Sequence, residues 1–214
     1  MSTVLDRQSG RGLAALRRLA AARRKPECCE LCAAQLGQEH QHLVDRESRR
    51  LLCSCDACAI LFDHSTATRY RRVPRDVRDL SRIEIDEVLW NSLGIPVGLV
   101  FLFRSSVTNS VLAVYPSPGG PTETSVADEA WSEIAALDPA LKALSDDVEA
   151  LLANRTGGAR RYYIVPIDEC YKLTGIIRRY WTGLSGGDEL WEQARRFFER
   201  LEDCARPAGD TAYA

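Results

Sequence analysis

LLCSCDAC, residues 51–58, sets three cysteines into six positions behind two leucines. One cysteine in a core is ordinary. Three this close are a metal site, a redox device or an accident, and the stretch has a counterpart upstream in PECCELC (26–32). Two CxxC pairs can be drawn, Cys29/Cys32 and Cys55/Cys58, with 22 residues between them. A CxxC turn lets two thiolates converge on one ion while its amides point at the sulfurs. Two such turns complete the tetrahedral S₄ shell that structural zinc prefers.

The residues between the pairs support that geometry. HLVD (42–45) and RRLLC (49–53) read as short strands around a polar RES turn. ACAILFD (57–63) then reads as the start of a helix. The expected order is a cysteine turn, a hairpin, and a second cysteine turn on a helix start, whose amides also favour thiolates. So small a unit cannot bury enough surface to fold alone, and metal is expected to hold it together, at roughly 10–16 kcal/mol for structural zinc. Zn²⁺ is favoured over Fe, because Cys32 and Cys58 are followed by alanine rather than the Pro and Gly of rubredoxin-like knuckles. Cys28, Cys53, His40 and His42 are the spare donors. They are read as neighbours with no ligand role, or as replacements, or as part of a site for a second ion.

The bulk composition describes an ordinary globular chain: 214 residues, 45% hydrophobic and 27% charged. Residues 1–82 carry sixteen Arg/Lys against ten Asp/Glu, and residues 83–214 carry twelve against twenty. A basic front and an acidic back suggest two parts with different surfaces. The first apolar stretch, GLAALRRLAAARRK, is broken by arginines and is no secretory signal. The most apolar run, IPVGLVFLF (95–103), is far short of a bilayer span. A cytoplasmic location is expected, where reduced thiols favour metal over disulfides.

Outside the cysteine segment the pattern is mixed. Residues 11–24 read as a basic amphipathic helix, and RYRRVPRDVRDLSR (69–82) as a connector that Pro74 keeps irregular. IEIDEVLWNSL (83–93) looks helical. VGLVFLFR (97–104) and SVLAVYPS (110–117) look like a hairpin, PSPGGPTE (116–123) like a loop, and RYYIVP (161–166) like a third strand. VADEAWSEIAAL (126–137) and PALKALSDDVEALLANR (139–155) have helical spacing, the second opened by Asp138-Pro139. On that reading Asp146, Asp147 and Glu149 lie on a solvated helix face. IDECYKLTGIIRRYW (167–181) has Cys170, Leu173, Ile177 and Trp181 on one helical stripe, and DELWEQARRFFERLEDC (188–204) is amphipathic. GGDE (186–189) is read as a turn and N-cap opening that last helix rather than as a nucleotide-cyclising signature. The expected fold class is α+β: a basic helix (1–25), a Cys-rich metal-binding segment (26–66), a basic connector (67–82), an α+β layer domain (83–205) and a disordered tail (206–214).

CELC, LVDR and LLCSCDAC resemble the HNH and endonuclease VII-like nucleases, which implies a treble-clef zinc finger. The chain departs from that pattern where the nuclease histidine belongs, because Arg46 follows Asp45. Without that imidazole the catalytic base or Mg²⁺ partner is missing, so no nuclease activity is expected. The longer set CELC, HQHLVD, RRLLCSCDACAILFD, YRRVP, IPVGLVFLFRSS, VYPSPGG, VPIDECYKL and WTGLSGG resembles an actinobacterial family of unknown function. Genes of that family often lie near nickel–iron hydrogenase and Fe–S assembly genes. The resemblance implies a non-enzymatic accessory or assembly protein whose partner is another protein, such as a hydrogenase subunit or an Fe–S assembly factor. Nucleic-acid binding through the basic front is the alternative, and iron electron transfer is a third reading.

Overall fold

The computed structural model describes residues 27–62, 69–117, 119–183 and 186–208. The basic helix expected at 11–24, His64 and residues 209–214 lie outside them. The described residues form six helices and ten strands in two sheets, an α+β arrangement. None of their helices is long and apolar enough to cross a membrane.

The front sheet has the order β2-β1-β3: β1 (Gln41–Asp45), β2 (Arg50–Ser54) and β3 (Tyr70–Arg72), all antiparallel. The hairpin falls where HLVD and RRLLC placed it, and α1 (Asp56–Phe62) follows β2 at once. β3 comes from the segment read as a connector, and the same segment supplies β4 (Arg78–Asp79) to the larger sheet. Pro74 stands between the two strands.

The larger sheet runs β10-β4-β9-β8-β5-β6-β7, with β5 (Leu99–Ser105), β6 (Ser110–Ser117), β7 (Gly120–Val126), β8 (Glu149–Asn154), β9 (Arg161–Pro166) and β10 (Arg206–Pro207). Strand alternation divides its side chains between two cores. Val100, Leu102, Leu151 and Ile164 face α2 (Glu87–Ser92), α3 (Asp128–Ala136) and α4 (Pro139–Lys142), where Trp90, Trp131 and Leu141 are buried. Phe101, Phe103, Leu152 and Val165 face α5 (Ile167–Tyr180) and α6 (Asp188–Cys204), through Cys170, Leu173, Phe197 and Leu201. Full burial of each such side chain contributes on the order of 1.5–3 kcal/mol. Val44 of β1 and Val73 enter this second core, so the cysteine module is packed onto the same face of the sheet as α5 and α6.

Four expectations fail locally. The helix read over 139–155 is limited to α4, and EALLAN is the strand β8, buried on both faces between β5 and β9. A two-faced strand has no polar alternation, so its apolar run reads equally well as helix. The loop read over 116–123 is a tight hairpin: β6 runs to Ser117, whose hydroxyl donates to the Gly120 carbonyl at 2.6 Å, and β7 starts there as an edge strand. The helix read over 83–93 begins only at Glu87, because the Asp86 carboxylate caps it by accepting from the Leu89 amide at 2.8 Å. The tail read as disordered begins with β10, paired in parallel with β4 through Arg206 N to Val77 O (3.0 Å) and Ala208 N to Asp79 O (3.1 Å).

Candidate metal centre

Local backbone chemistry builds the cysteine site. The first turn closes through Ala33 N to Cys29 O (2.8 Å) and Cys29 N to Ala34 O (2.7 Å), with Ala33 in the left-handed region at φ 61°. It is tied to β2 by Glu30: the Glu30 amide donates to Cys53 O at 2.9 Å, and its carboxylate accepts from Cys53 N at 3.0 Å and pairs with Arg50. The second turn opens α1. Ala59 N donates to Cys55 O at 2.9 Å as the helix's first bond, and Cys58 N approaches Cys55 Sγ at 3.4 Å.

The sulfurs of Cys29, Cys32, Cys55 and Cys58 all lie within 4.8 Å of one another, with Cys32 and Cys55 at 3.6 Å, and none is in a disulfide. Cys29 and Cys58 are buried, Cys55 is half-buried and Cys32 is exposed. The four residues read from the CxxC spacing are therefore brought together into a group able to hold a metal ion.

Their electrostatics suit a cation. Burial alone raises the Cys29 thiol, but the amides of Cys55, Leu31 and Cys32 outweigh it and bring it down to about 6. Burial pushes Cys58 up to about 12, and its hydrogen bonds with the other three thiols push the same way. The Ala34 amide favours the Cys32 thiolate, yet the thiols of Cys29 and Cys55 hold it above its ordinary value. The amides thus favour one thiolate, while crowding resists the next. A divalent ion supplies the charge that lets all four ionise.

The spare donors separate. Cys28 is exposed on an isolated bridge to Gln35 and belongs to neither donor group. Cys53 sits opposite His42 in the hairpin register and gathers with His40 and His42 rather than with the four sulfurs. Cys170 is buried against α5's own core and Cys204 is exposed.

Two carboxylates expected on a solvated helix face are instead buried, and one of them anchors the module. Asp147 was read on a solvated helix face but is buried in the turn before β8, and it accepts from Ser106 N at 2.9 Å. Arg46, which occupies the nuclease histidine's place, reaches it across 101 positions of chain at 3.4 Å. Glu149, read on the same solvated face, is likewise buried and pairs with Arg78 at 2.5 Å. A left-handed Asp between apolar runs is the signal that marks this turn (φ 66°), but no sequence feature pairs it with Arg46. Asp45 is held by Arg69 through a two-pronged contact at 3.1 and 2.6 Å.

A family model described as a family of unknown function (DUF5947) matches residues 28–205. No curated protein and no solved structure matches the chain.

Proposed function

We propose, for a chain that belongs to the DUF5947 family of unknown function, that Cys29, Cys32, Cys55 and Cys58 hold a structural Zn²⁺ in a treble-clef module. The observation that carries this is the convergence of four sulfurs within 4.8 Å from two turns, one of them at a helix start. An S₄ shell leaves no coordination position for a substrate, so this centre stabilises rather than reacts. The protein acts, on this reading, as a non-enzymatic accessory factor that binds another protein, and the family resemblance suggests a nickel–iron hydrogenase system or an Fe–S assembly factor. Among the described residues, nucleic-acid binding is disfavoured because four of the module's arginines are engaged in ion pairs: Arg46 with Asp147, Arg49 with Glu123, Arg50 with Glu30 and Arg69 with Asp45.

Elemental analysis of protein from its native host tests the metal. A colourless zinc protein is expected, whereas iron at the four sulfurs would replace the structural reading by electron transfer. Affinity purification from the same host tests the role: a specific stoichiometric partner is expected, and recovery of the chain alone would remove the accessory reading.

A further inference from the structure

Beyond the four-sulfur centre, a second set of donors converges at the seam between the hairpin and α5. One nitrogen of His40, one nitrogen of His42 and the Cys53 sulfur lie within 4.8 Å of one another. The two rings stand edge to face with centroids 5.0 Å apart.

The hydrogen bonds around them prepare both rings in one way. His40 Nδ1 lies 3.0 Å from the Gly37 carbonyl, which can only accept, so Nδ1 carries the proton. His42 Nδ1 lies 2.9 Å from Asp168 Oδ2. Asp168 is nearly buried, with the Lys172 ammonium 3.4 Å from the same carboxylate as its counter-charge. It is an acceptor, and His42 donates to it. In each ring, then, Nε2 keeps the free lone pair. A backbone carbonyl or carboxylate on the far nitrogen is how proteins orient histidine as a metal ligand and raise its basicity.

His40 supplies the independent sign that something belongs here. Its side chain is only 9% exposed, and its Nε2 is buried without any hydrogen-bond partner. An unpartnered buried imidazole nitrogen costs on the order of 1–3 kcal/mol. It is tolerated where a ligand satisfies it.

We infer that His40, His42 and Cys53 form a second metal site, with Asp168 and the Gly37 carbonyl as orienting partners, for a borderline divalent transition ion such as Zn²⁺ or Co²⁺. Two imidazoles and a thiolate match the donor preference of such ions, and hard ions such as Mg²⁺ and Ca²⁺ are disfavoured. Three protein donors leave a tetrahedral ion one further position. Both histidines and Asp168 also line a cleft of about 660 Å³ shared with Arg75, Glu169 and Lys172, which lies beside the site. The site spans module and sheet domain, because its donors lie in or beside the hairpin while its orienting carboxylate is on α5.

The test uses the full-length chain, stripped of metal under reducing conditions and titrated with Zn²⁺ or Co²⁺ alone. The wild type is expected to take up about two equivalents, with Co²⁺ giving the separate absorption bands of an S₄ and an N₂S site. His42→Ala and Cys53→Ser are each expected to retain one equivalent with the S₄ spectrum. Asp168→Asn, which keeps the fold's contacts most nearly intact, is expected to weaken the second ion alone by roughly 10–100-fold. Uptake of a single equivalent with a pure S₄ spectrum, or two equivalents in both His42→Ala and Cys53→Ser, overturns the inference. A single equivalent with an N₂S spectrum supports this site and instead removes the four-sulfur reading.

Discussion

The Arg46 guanidinium lies 3.4 Å from the buried Asp147 carboxylate, with the Ser106 hydroxyl bonded to both. This triad fastens the cysteine module to the turn that leads into β8. Arg46 is partly solvated, whereas Asp147 is 2% exposed at its side chain, so the two ends are unequal. Removing the carboxylate takes the acceptor from the Ser106 amide and hydroxyl and the counter-charge from Arg46. Asp147→Ala is therefore expected to destabilise the protein by roughly 3–5 kcal/mol. Asp147→Asn, which keeps an oxygen and tolerates φ 66°, costs less. Urea unfolding of the two variants checks the order, and equal midpoints would remove the anchoring role.

Gly98 precedes β5 where the chain passes the Arg155 backbone, and Arg155 N donates to Gly98 O at 2.6 Å. A Cβ built on Gly98 would meet the Arg155 carbonyl carbon and oxygen at 3.0 Å, which are backbone atoms with little freedom to move. Gly98→Ala should cost about 1–3 kcal/mol through this overpacking, with metal content unchanged. Thermal melting with parallel zinc analysis reads both.

Arg155 itself joins the end of β8 to α2. Its guanidinium stacks 4.6 Å from the Trp90 ring and donates to Ile85 O at 3.1 Å and to Glu87 at 2.5 Å. A lysine keeps the charge but loses the planar stack and the divergent donors. Arg155→Lys is expected to destabilise by about 1–2 kcal/mol and to change Trp fluorescence as Trp90 becomes wetter. A native emission spectrum and unchanged melting temperature would show that the stack carries no stability.

Much of this organisation is legible in the residues, for identifiable physical reasons. The CxxC spacing constrains sulfurs locally, so Cys29, Cys32, Cys55 and Cys58 are found together as expected. The polar turn between HLVD and RRLLC marks the hairpin β1–β2, and a one-sided helix announces itself by period, as in the stripe Cys170, Leu173, Ile177. β8 does not, because Leu151 and Leu152 face opposite cores and leave no polar phase to read. Nor do Asp147 and Asp168, whose partners lie 101 and 126 positions away. A carboxylate's role is set by what the fold brings to it, and here both lie on the seam that joins the module to the sheet.

The four-sulfur centre makes a definite prediction for pH. In the metal-free state Cys58 is held up to about 12 and Cys32 is also raised, so both bind protons at neutral pH. Metal binding must displace those protons, and its apparent affinity therefore climbs as pH rises. Cys29, brought down to about 6, is already mostly ionised at pH 7 and adds to the dependence only as pH falls toward and below that value. Zn²⁺ competition against a chromophoric chelator should give a log affinity rising with slope of at least about two between pH 7 and 8, steeper again below about 6. Cys58→Ser should lower both the affinity and the slope. A flat profile would mean that the thiolates are preformed and that the crowding of the four sulfurs has no energetic consequence.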